Sequence, residues 1–214
     1  MEVLYIYDHC PFCVKPRMIF GFKNRPYTIT YLLNDDEETP IKMIGQKMLP
    51  ILQEGDHYMA ESMDIVTHVD QLDGKPVLTG ASNPAVIAWI DSIYDNFNRL
   101  VIPRYANNST LPEFVTAEAR AYFTRKKEAL LGDFATLFEQ TEVRVAEMNK
   151  KLLELEPLIK SASACNGEWS EDDIHLFPIL RGLSTVEGIV YPEKVNNYRQ
   201  TMSALTGVPL FTIS

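Results

Sequence analysis

The sequence predicts an α/β domain with the element order βαβαββα, followed by an all-helical domain. Strand and helix signals alternate over the first 75 residues, and helical periodicity runs from residue 85 to the end. Between them lies a segment rich in turn residues, which include Pro76, Gly80 and Ser82. We therefore expect domains at residues 1–75 and 85–214, joined by a linker at residues 76–84.

The first strand and helix are the clearest elements. The apolar run Val3–Tyr7 is typical of a short buried strand. Proline suits the first turn of a helix, so Pro11 predicts a helix start with Cys10 at the cap. Apolar residues then recur at helical spacing, at Val14, Met18, Ile19 and Phe22.

Three further strands complete the predicted sheet. Thr28–Leu33 alternates and is rich in β-branched and aromatic residues, which predicts the second strand. Pro50–Gln53 and His57–Met59 flank the turn sequence Glu54-Gly55-Asp56, which predicts a hairpin.

Two helices lie between and after these strands. The first is predicted to begin with Thr39 as the N-cap and Pro40 at the first helical position, and to end near Gly45. The second is predicted to begin with Ser62 as the N-cap and to end at Asp73-Gly74.

The second domain is predicted to contain only helices. Its segments are Val86–Leu100, Glu113–Leu131, Phe134–Ile159, Ser170–Leu183 and Pro192–Leu205. Its predicted breaks are Pro103, Pro112, Gly132, Gly167, Gly188 and Pro192. Ser170 and Asp173 have the spacing of a capping box, so we assign Asp173 a role in folding.

Composition narrows the classes of partner and compartment. A net charge of −9 disfavours nucleic acid and anionic membranes as partners. No apolar run approaches transmembrane length, and the amino end lacks the pattern of a secretory signal. Three cysteines do not form a disulfide scaffold, so we expect a cytoplasmic protein.

The motif Cys10-Pro11-Phe12-Cys13 lies at the predicted strand-to-helix turn. The free N–H groups and positive dipole end of a helix stabilise an anion and lower the pKa of a thiol there. Two thiols at this spacing can also close a disulfide ring, which favours a dithiol redox centre. Lys15 and Arg17 either lower the pKa of Cys10 further or are solvated helix charges.

Two other interpretations of the two cysteines remain open. Zinc would need two more ligands, but the chain has one further cysteine, Cys165, and four histidines without paired spacing. Two inert core cysteines are the second alternative, against which Pro11 argues. Cys165 lies in a loop of small residues and is interpreted as a bystander thiol.

The combined motifs resemble the glutaredoxins and the glutathione transferases. The resemblance rests on Tyr5–Cys13, Leu33–Asp36, Leu49–Leu52, Glu61–Ile65, Leu72–Pro76 and Ser170–Ile174. It implies a thioredoxin-like first domain and a glutathione-transferase-like helical second domain. The dithiol makes the chain similar to the large, two-domain bacterial glutaredoxins, although Phe12 and Leu49 stand where Tyr and Val are frequent.

This resemblance implies an enzyme that uses glutathione as the reducing co-substrate and needs no metal. Cys10 would be the nucleophile and Cys13 the resolving thiol. The expected substrates are protein disulfides and glutathionylated proteins, and the alternative is a cysteine-type glutathione transferase.

The resemblance also implies a set of glutathione contacts. The expected residues are Phe12, Leu49, Pro50, Glu61 and Ser62. Pro50 would form a cis peptide bond, so that the main chain of Leu49 pairs with the cysteinyl part of glutathione. Ser62 would hold the γ-glutamyl carboxylate, and Glu61 would lie near the γ-glutamyl amino group.

Overall fold

The computed structural model describes residues 2–212 and divides into a sheet unit followed by a helical unit. The strands are β1 (Glu2–Ile6), β2 (Thr28–Tyr31), β3 (Ile51–Glu54) and β4 (His57–Met59). The helices of the sheet unit are α1 (Pro11–Phe22), α2 (Glu38–Ile44) and α3 (Ser62–Gln71). Those of the helical unit are α4 (Pro84–Asn107), α5 (Ala117–Leu131), α6 (Phe134–Glu139), α7 (Thr141–Leu155), α8 (Glu171–Leu183) and α9 (Glu193–Thr206). Short 3-10 turns occupy Pro112–Phe114 and Glu156–Leu158.

The four strands form one mixed sheet in the order β2-β1-β3-β4. β1 runs parallel to β2 and antiparallel to β3, and β3 runs antiparallel to β4. Parallel strands need a crossover connection, and α1 provides it between β1 and β2. The predicted order βαβαββα is therefore confirmed.

The register brings three segments to the same edge of the sheet. Tyr5 pairs with Ile51, so the chain just before β3 lies opposite the carboxyl end of β1. Leu52 pairs with Met59, so the end of β4 reaches this edge as well. The loop before α1, the Leu49-Pro50 bond and the start of α3 consequently lie at one edge.

Two predicted helix starts in the sheet unit are wrong. Thr39 is not the N-cap of α2, because the helix begins at Glu38 and the Asp36 carboxylate accepts from the Thr39 N–H at 2.9 Å. Ser62 is the first residue of α3 and Glu61 occupies the cap position. Thr39 and Ser62, the predicted N-caps, therefore both lie inside the helices that they were expected to cap.

Three predictions for the helical unit also differ from the structure. Pro103 does not break α4, because buried neighbours such as Leu100 and Tyr105 hold the helix on both sides of the proline. The predicted helix Phe134–Ile159 is divided at Gln140 into α6 and α7. Glu113 lies in a separate 3-10 turn, because Thr116 caps α5 through the Ala119 N–H at 3.2 Å.

The helical unit packs directly against α1. Helix α1 contacts α3 on one side and α8 and α9 on the other, within one apolar core that spans both units. Gly21 permits the close approach of α9, because an added Cβ would lie 2.2 Å from the Thr206 carbonyl oxygen. None of the helices in residues 2–212 is both long enough and apolar enough to cross a membrane.

Candidate active site

Cys10 is the N-cap residue of α1, and Cys13 lies one turn further along the helix. The N–H groups of Cys13 and Val14 both donate to the Cys10 carbonyl, at 3.0 and 3.2 Å. Cys10 is partly exposed, Cys13 is fully buried, and both are free thiols. The geometry therefore offers one accessible and one shielded sulfur.

The two thiols have opposite pKa shifts. A hydrogen bond from the Cys13 thiol, followed by the charge of His9 and the Phe12 and Cys13 N–H groups, outweighs burial and lowers the pKa of Cys10 to about 6. Burial, followed by the hydrogen bond and negative charge of Cys10, raises the pKa of Cys13 well above its usual value. At neutral pH the accessible sulfur is mostly a thiolate and the shielded one a thiol.

Lys15 and Arg17 are buried and not solvated helix charges. The Lys15 ammonium lies 3.0 Å from His175 Nδ1, and burial lowers its pKa to about 8 against the opposing effect of the Cys10 charge. Arg17 donates to the Asp8 carboxylate at 2.7 Å. The Arg17 charge is therefore directed towards Asp8.

The sequence interpretation missed His9, which contributes to the lowered pKa of Cys10. The backbone N–H and the ring Nδ1 of His9 both approach Glu113 Oε1, at 2.9 and 2.5 Å. These residues are 104 positions apart, so no local pattern could have paired them. The one sequence signal that could have identified His9 as a site residue was its position directly before Cys10.

Asp8 connects the loop before α1 to the helical unit. Arg181 of α8 donates to both Asp8 carboxylate oxygens at 3.0 and 3.1 Å and to the Asp8 carbonyl at 2.6 Å. Burial raises the pKa of Asp8, but the charges of Arg181 and Arg17 outweigh it and hold the pKa below its usual value.

The predicted glutathione contacts gather around the edge that carries Cys10. Phe12 follows Cys10 and is 47% exposed. The Leu49-Pro50 peptide bond is cis and directly precedes β3. Glu61 is exposed and has a φ of 66°, and the buried Ser62 follows it as the first residue of α3.

The start of α3 is open to a ligand. No side chain caps it in the described part of the chain, and its first intrahelical hydrogen bond is donated by Ile65 to the Glu61 carbonyl. The earlier N–H groups of this first turn therefore remain available to an anion.

Tyr7, Cys165 and Asp173 lie in buried or hydrogen-bonded surroundings. Burial raises the pKa of Tyr7 above its usual value, and its hydroxyl has no partner among residues 2–212. Cys165 is fully buried, and burial raises its pKa.

Asp173 accepts from the N–H groups of Ser170 and Cys165 and from the Tyr198 hydroxyl, which confirms its role in folding. Among the described residues, no cluster of three or more His, Cys, Asp or Glu side chains is placed to hold a metal ion.

A cleft of about 840 Å³ lies beside the dithiol, between α1, α4 and α8. Phe12 and Lys15 of α1 line one side of it. Ile90 and Tyr94 of α4 and Pro178 of α8 are among the residues of the opposite walls. This largely apolar cleft opens next to the exposed ring of Phe12.

Two family models match the chain. Residues 85–214 match the C-terminal domain of glutaredoxin 2. Residues 4–77 match the N-terminal domain of glutathione S-transferase. The two matches together span both structural units.

Individual relatives agree with these matches. Glutaredoxin 2 of Escherichia coli K12 is 50% identical over 98% of this chain and 97% of its own length. The crystal structure of glutaredoxin 2 from Salmonella typhimurium in complex with glutathione is 52% identical, covers 98% of this chain and 96% of its own, and superposes with a TM-score of 0.96. A glutathione transferase from Phanerochaete chrysosporium shares the fold at 15% identity, with a TM-score of 0.70 over 99% of this chain and 98% of its own.

Proposed function

The chain belongs to the glutaredoxin 2 family and is a glutathione-dependent oxidoreductase, and we propose that Cys10 and Cys13 carry its chemistry. One observation carries this assignment. The partly exposed Cys10 has a pKa of about 6, while the buried Cys13 beside it has a raised pKa. The pair therefore contains one nucleophilic thiolate, Cys10, and one protonated resolving thiol, Cys13.

Reduction of a glutathione mixed disulfide needs Cys10 alone. The Cys10 thiolate attacks the glutathione sulfur, forms a Cys10–glutathione disulfide and releases the substrate thiolate. A second glutathione thiolate then attacks the glutathione sulfur of that disulfide. Oxidised glutathione leaves, and the electron pair of the broken bond returns to Cys10 as a thiolate.

Reduction of a protein disulfide needs both cysteines. Cys10 attacks one substrate sulfur, and Cys13 then attacks Cys10 in the resulting mixed disulfide, which releases the reduced substrate. One glutathione thiolate attacks Cys10 of the Cys10–Cys13 disulfide and releases Cys13 as a thiolate, which takes up a proton. A second glutathione thiolate then attacks the glutathione sulfur on Cys10, so that oxidised glutathione leaves and Cys10 returns to the thiolate.

Formation of the mixed disulfide at Cys10 activates the resolving thiol, Cys13. The hydrogen bond and negative charge of Cys10 both raise the pKa of Cys13. Both are lost once Cys10 enters a mixed disulfide and no longer carries charge. Cys13 therefore becomes more acidic at the stage when it is needed as the attacking thiolate.

The glutathione site is proposed at the edge that holds the dithiol. The main chain of Leu49, before the cis Pro50, pairs with the cysteinyl part of glutathione as a strand would. Ser62 and the open first turn of α3 hold the γ-glutamyl carboxylate, and Glu61 lies near the amino group. Phe12 covers the ligand from the α1 side. Glutathione in the Salmonella relative supports binding of this ligand.

The wider proposal concerns domains, substrates and location. The division into residues 1–75, a linker at 76–84 and residues 85–214 is supported by the lack of helix or strand between Gln71 and Pro84. The substrates are disulfide-containing or glutathionylated proteins. The cytoplasm is the proposed location, since three cysteines do not form the disulfide scaffold typical of secreted proteins.

The test is NADPH consumption coupled to glutathione reductase, with a small glutathione mixed disulfide and a protein disulfide as separate substrates. Wild type should reduce both, Cys13→Ser only the mixed disulfide, and Cys10→Ser neither. The buried Cys165 provides a matched control, because Cys165→Ser should leave both activities in place. Retained turnover in Cys10→Ser would contradict the assignment.

The apolar cleft beside Phe12 favours one second candidate, a cysteine-type glutathione transferase. An apolar co-substrate in this cleft would meet glutathione at the α1 start. Conjugation of glutathione to chlorodinitrobenzene distinguishes the two functions. Conjugation faster than mixed-disulfide reduction would favour the transferase, while slow conjugation with rapid disulfide reduction supports the glutaredoxin.

A further inference from the structure

We propose that Glu113 of the helical unit is a positioning residue for the thiol chemistry, because it holds His9 so that positive charge on the imidazole stabilises the Cys10 thiolate. This inference rests on the proposed role of Cys10 as the nucleophile. It gives the helical unit a direct part in the reaction that takes place in the sheet unit.

The contact between the two residues is specific. Glu113 Oε1 accepts from the His9 backbone N–H at 2.9 Å and from the ring Nδ1 at 2.5 Å. Both the main chain and the side chain of His9 are therefore fixed by one oxygen. The Glu113 carbonyl also accepts from the Asn34 N–H at 3.0 Å, which anchors the 3-10 turn to the sheet unit.

The pair is enclosed by apolar and aromatic groups. Glu113 is fully buried, and His9 is 9% exposed. Ring centroids of four aromatic side chains lie within 5.8 Å of the His9 ring: Tyr7, Tyr105, Phe114 and Phe123. In such surroundings an ion pair is weakly screened and its geometry is fixed.

The Glu113 carboxylate is available to compensate charge on His9. Burial alone would raise its pKa, but the hydrogen bonds and positive charge of His9 outweigh burial and lower it. Its second oxygen, Oε2, is buried with no hydrogen-bond partner in residues 2–212. His9 is thus the side chain that pairs with this buried carboxylate, through Oε1.

The position of His9 determines the effect of the pair on sulfur. His9 is adjacent to Cys10 in the chain, and its ring Nδ1 contacts Glu113 Oε1. Positive charge on His9 therefore stabilises a thiolate at Cys10. This arrangement accounts for the contribution of His9 to the lowered pKa of Cys10.

Other titratable groups also act on this site. They are Cys13 and Lys15 on α1, Asp8 and Tyr7 in the preceding loop, Asp36 after β2, Tyr105 on α4 and Arg181 on α8. A variant that tests the proposal must therefore leave all these groups unchanged when it is compared with wild type. The Glu113→Gln substitution meets this condition, because it replaces one carboxylate oxygen by an amide.

The expected sign follows from two opposing effects. Loss of the carboxylate removes a negative charge, which by itself lowers the pKa of Cys10. Loss of its pairing with the buried imidazole also disfavours the imidazolium, which raises that pKa. The second effect should dominate because the His9 charge is among the causes of the lowered Cys10 pKa, so Glu113→Gln should raise that pKa by about one unit.

The test is the pH dependence of iodoacetamide alkylation at Cys10, located by peptide mass spectrometry. Glu113→Gln is compared with wild type and with Glu118→Gln, a matched change at an exposed carboxyl on α5. The inflection should move up in Glu113→Gln and stay in place in Glu118→Gln. An unchanged inflection in folded Glu113→Gln would overturn the proposal.

A double-mutant comparison excludes a purely structural effect. In a His9→Phe background no imidazolium remains, so Glu113→Gln should lower the inflection or leave it unchanged. An equal increase in both backgrounds would overturn the proposal. Phenylalanine suits the aromatic surroundings of His9, and the amide removes the uncompensated buried charge in the double variant.

A measurement on the unsubstituted protein covers the case in which a variant fails to fold. Nitrogen NMR of the assigned His9 ring should show a proton on Nδ1 that is hydrogen-bonded to the Glu113 carboxylate. A ring whose Nδ1 carries no proton would overturn the inference. Neither readout is turnover, so the proposed function fails separately, through turnover retained in Cys10→Ser.

Discussion

At the scale of single residues, the chemistry depends on the difference between two neighbouring thiols. Cys10 occupies the cap of α1, where the N–H groups of Phe12 and Cys13 help to lower its pKa, and Cys13 is buried one turn further along the helix. The same contact acts in opposite directions, since the Cys13 hydrogen bond lowers the pKa of Cys10 and the Cys10 charge raises that of Cys13. Before substrate binds, Cys10 is consequently the thiolate of the pair and Cys13 the protonated thiol.

Removing the Cys13 thiol should raise the pKa of Cys10. Its hydrogen bond is the largest cause of the lowered value near 6, and a hydrogen bond to a charged group contributes about 1.5–3 kcal/mol. Cys13→Ala should therefore move the inflection of Cys10 alkylation upward by about one unit. Cys13→Ser, whose hydroxyl can still donate, should move it less, and an inflection unchanged in Cys13→Ala would contradict this explanation.

The pH dependence of the wild-type reaction has a defined direction. Cys10 reacts as the thiolate, so its alkylation rate should fall as the pH drops through about 6 and level off above it. A rate that still rises steeply between pH 8 and 9 would indicate an unperturbed thiol.

The sequence could predict that Cys10 and Cys13 lie at a strand-to-helix turn, but not what surrounds them. Their position was predictable because strand, proline and helix signals lie within a few positions of them. Glu113 was not, because it approaches His9 only through the packing of two units. Arg181 was missed for the same reason, since its partner Asp8 is 173 positions away.

At the scale of elements, the start of α3 combines an open helix end with a strained cap residue. Glu61 has a φ of 66°, a conformation that disfavours any residue except glycine by about 1–3 kcal/mol. Such strain is often retained at ligand sites. The sequence pattern Glu-Ser predicted the helix but placed Ser62 one position too early, at the cap.

The Glu61→Gly variant should separate stability from ligand binding. It should raise the free energy of unfolding by about 1 kcal/mol, because glycine tolerates this conformation. It should also raise the KM for glutathione by about threefold, because an exposed ion pair with the amino group is lost.

Asn24→Gly is the matched control for that variant. Asn24 also has a positive φ, of 47°, but lies after α1, away from the open start of α3. It should change stability without changing the KM. An unchanged KM in Glu61→Gly would remove Glu61 from the proposed glutathione site.

Helix packing gives a second prediction at this scale. Alanine normally favours a helix over glycine, but a Cβ at Gly21 would lie 2.2 Å from the Thr206 carbonyl oxygen of α9. Gly21→Ala should therefore lower the free energy of unfolding by about 1–3 kcal/mol, measured by urea denaturation. A neutral or stabilising effect would contradict the close contact of α1 with α9.

At the scale of the whole molecule, the helical unit fixes the loop that leads to the dithiol. Arg181 is 1% exposed and holds Asp8 by its carboxylate and its carbonyl, and its Nε donates to the Pro209 carbonyl at 2.8 Å. Glu113 fixes the next residue, His9. Two consecutive residues before Cys10 are thus positioned by the second unit.

Arg181→Met should destabilise the whole protein. Removing one partner of a buried ion pair costs about 3–5 kcal/mol, since the other charge loses its compensation. Arg17 still pairs with Asp8, so the lower end of this range is expected in denaturant unfolding. Arg125→Met, at an exposed arginine of α5, should change stability by less than about 0.5 kcal/mol.

The same variant should shift acid unfolding. In wild type the lowered pKa of Asp8 provides stability above its unfolded pKa, which is lost as the pH falls through the folded value. Without Arg181 the folded pKa of Asp8 rises. The acid transition of Arg181→Met should therefore begin at higher pH, and an unchanged transition would contradict this role of the pair.

The most direct test of the central claim is mass analysis of the Cys13→Ser protein after incubation with oxidised glutathione at pH 7. The account predicts one glutathione per chain, bound by a disulfide to Cys10 and removed by added reduced glutathione. Modification of Cys165 instead, or no stable adduct at Cys10, would contradict the assignment of Cys10 as the nucleophile.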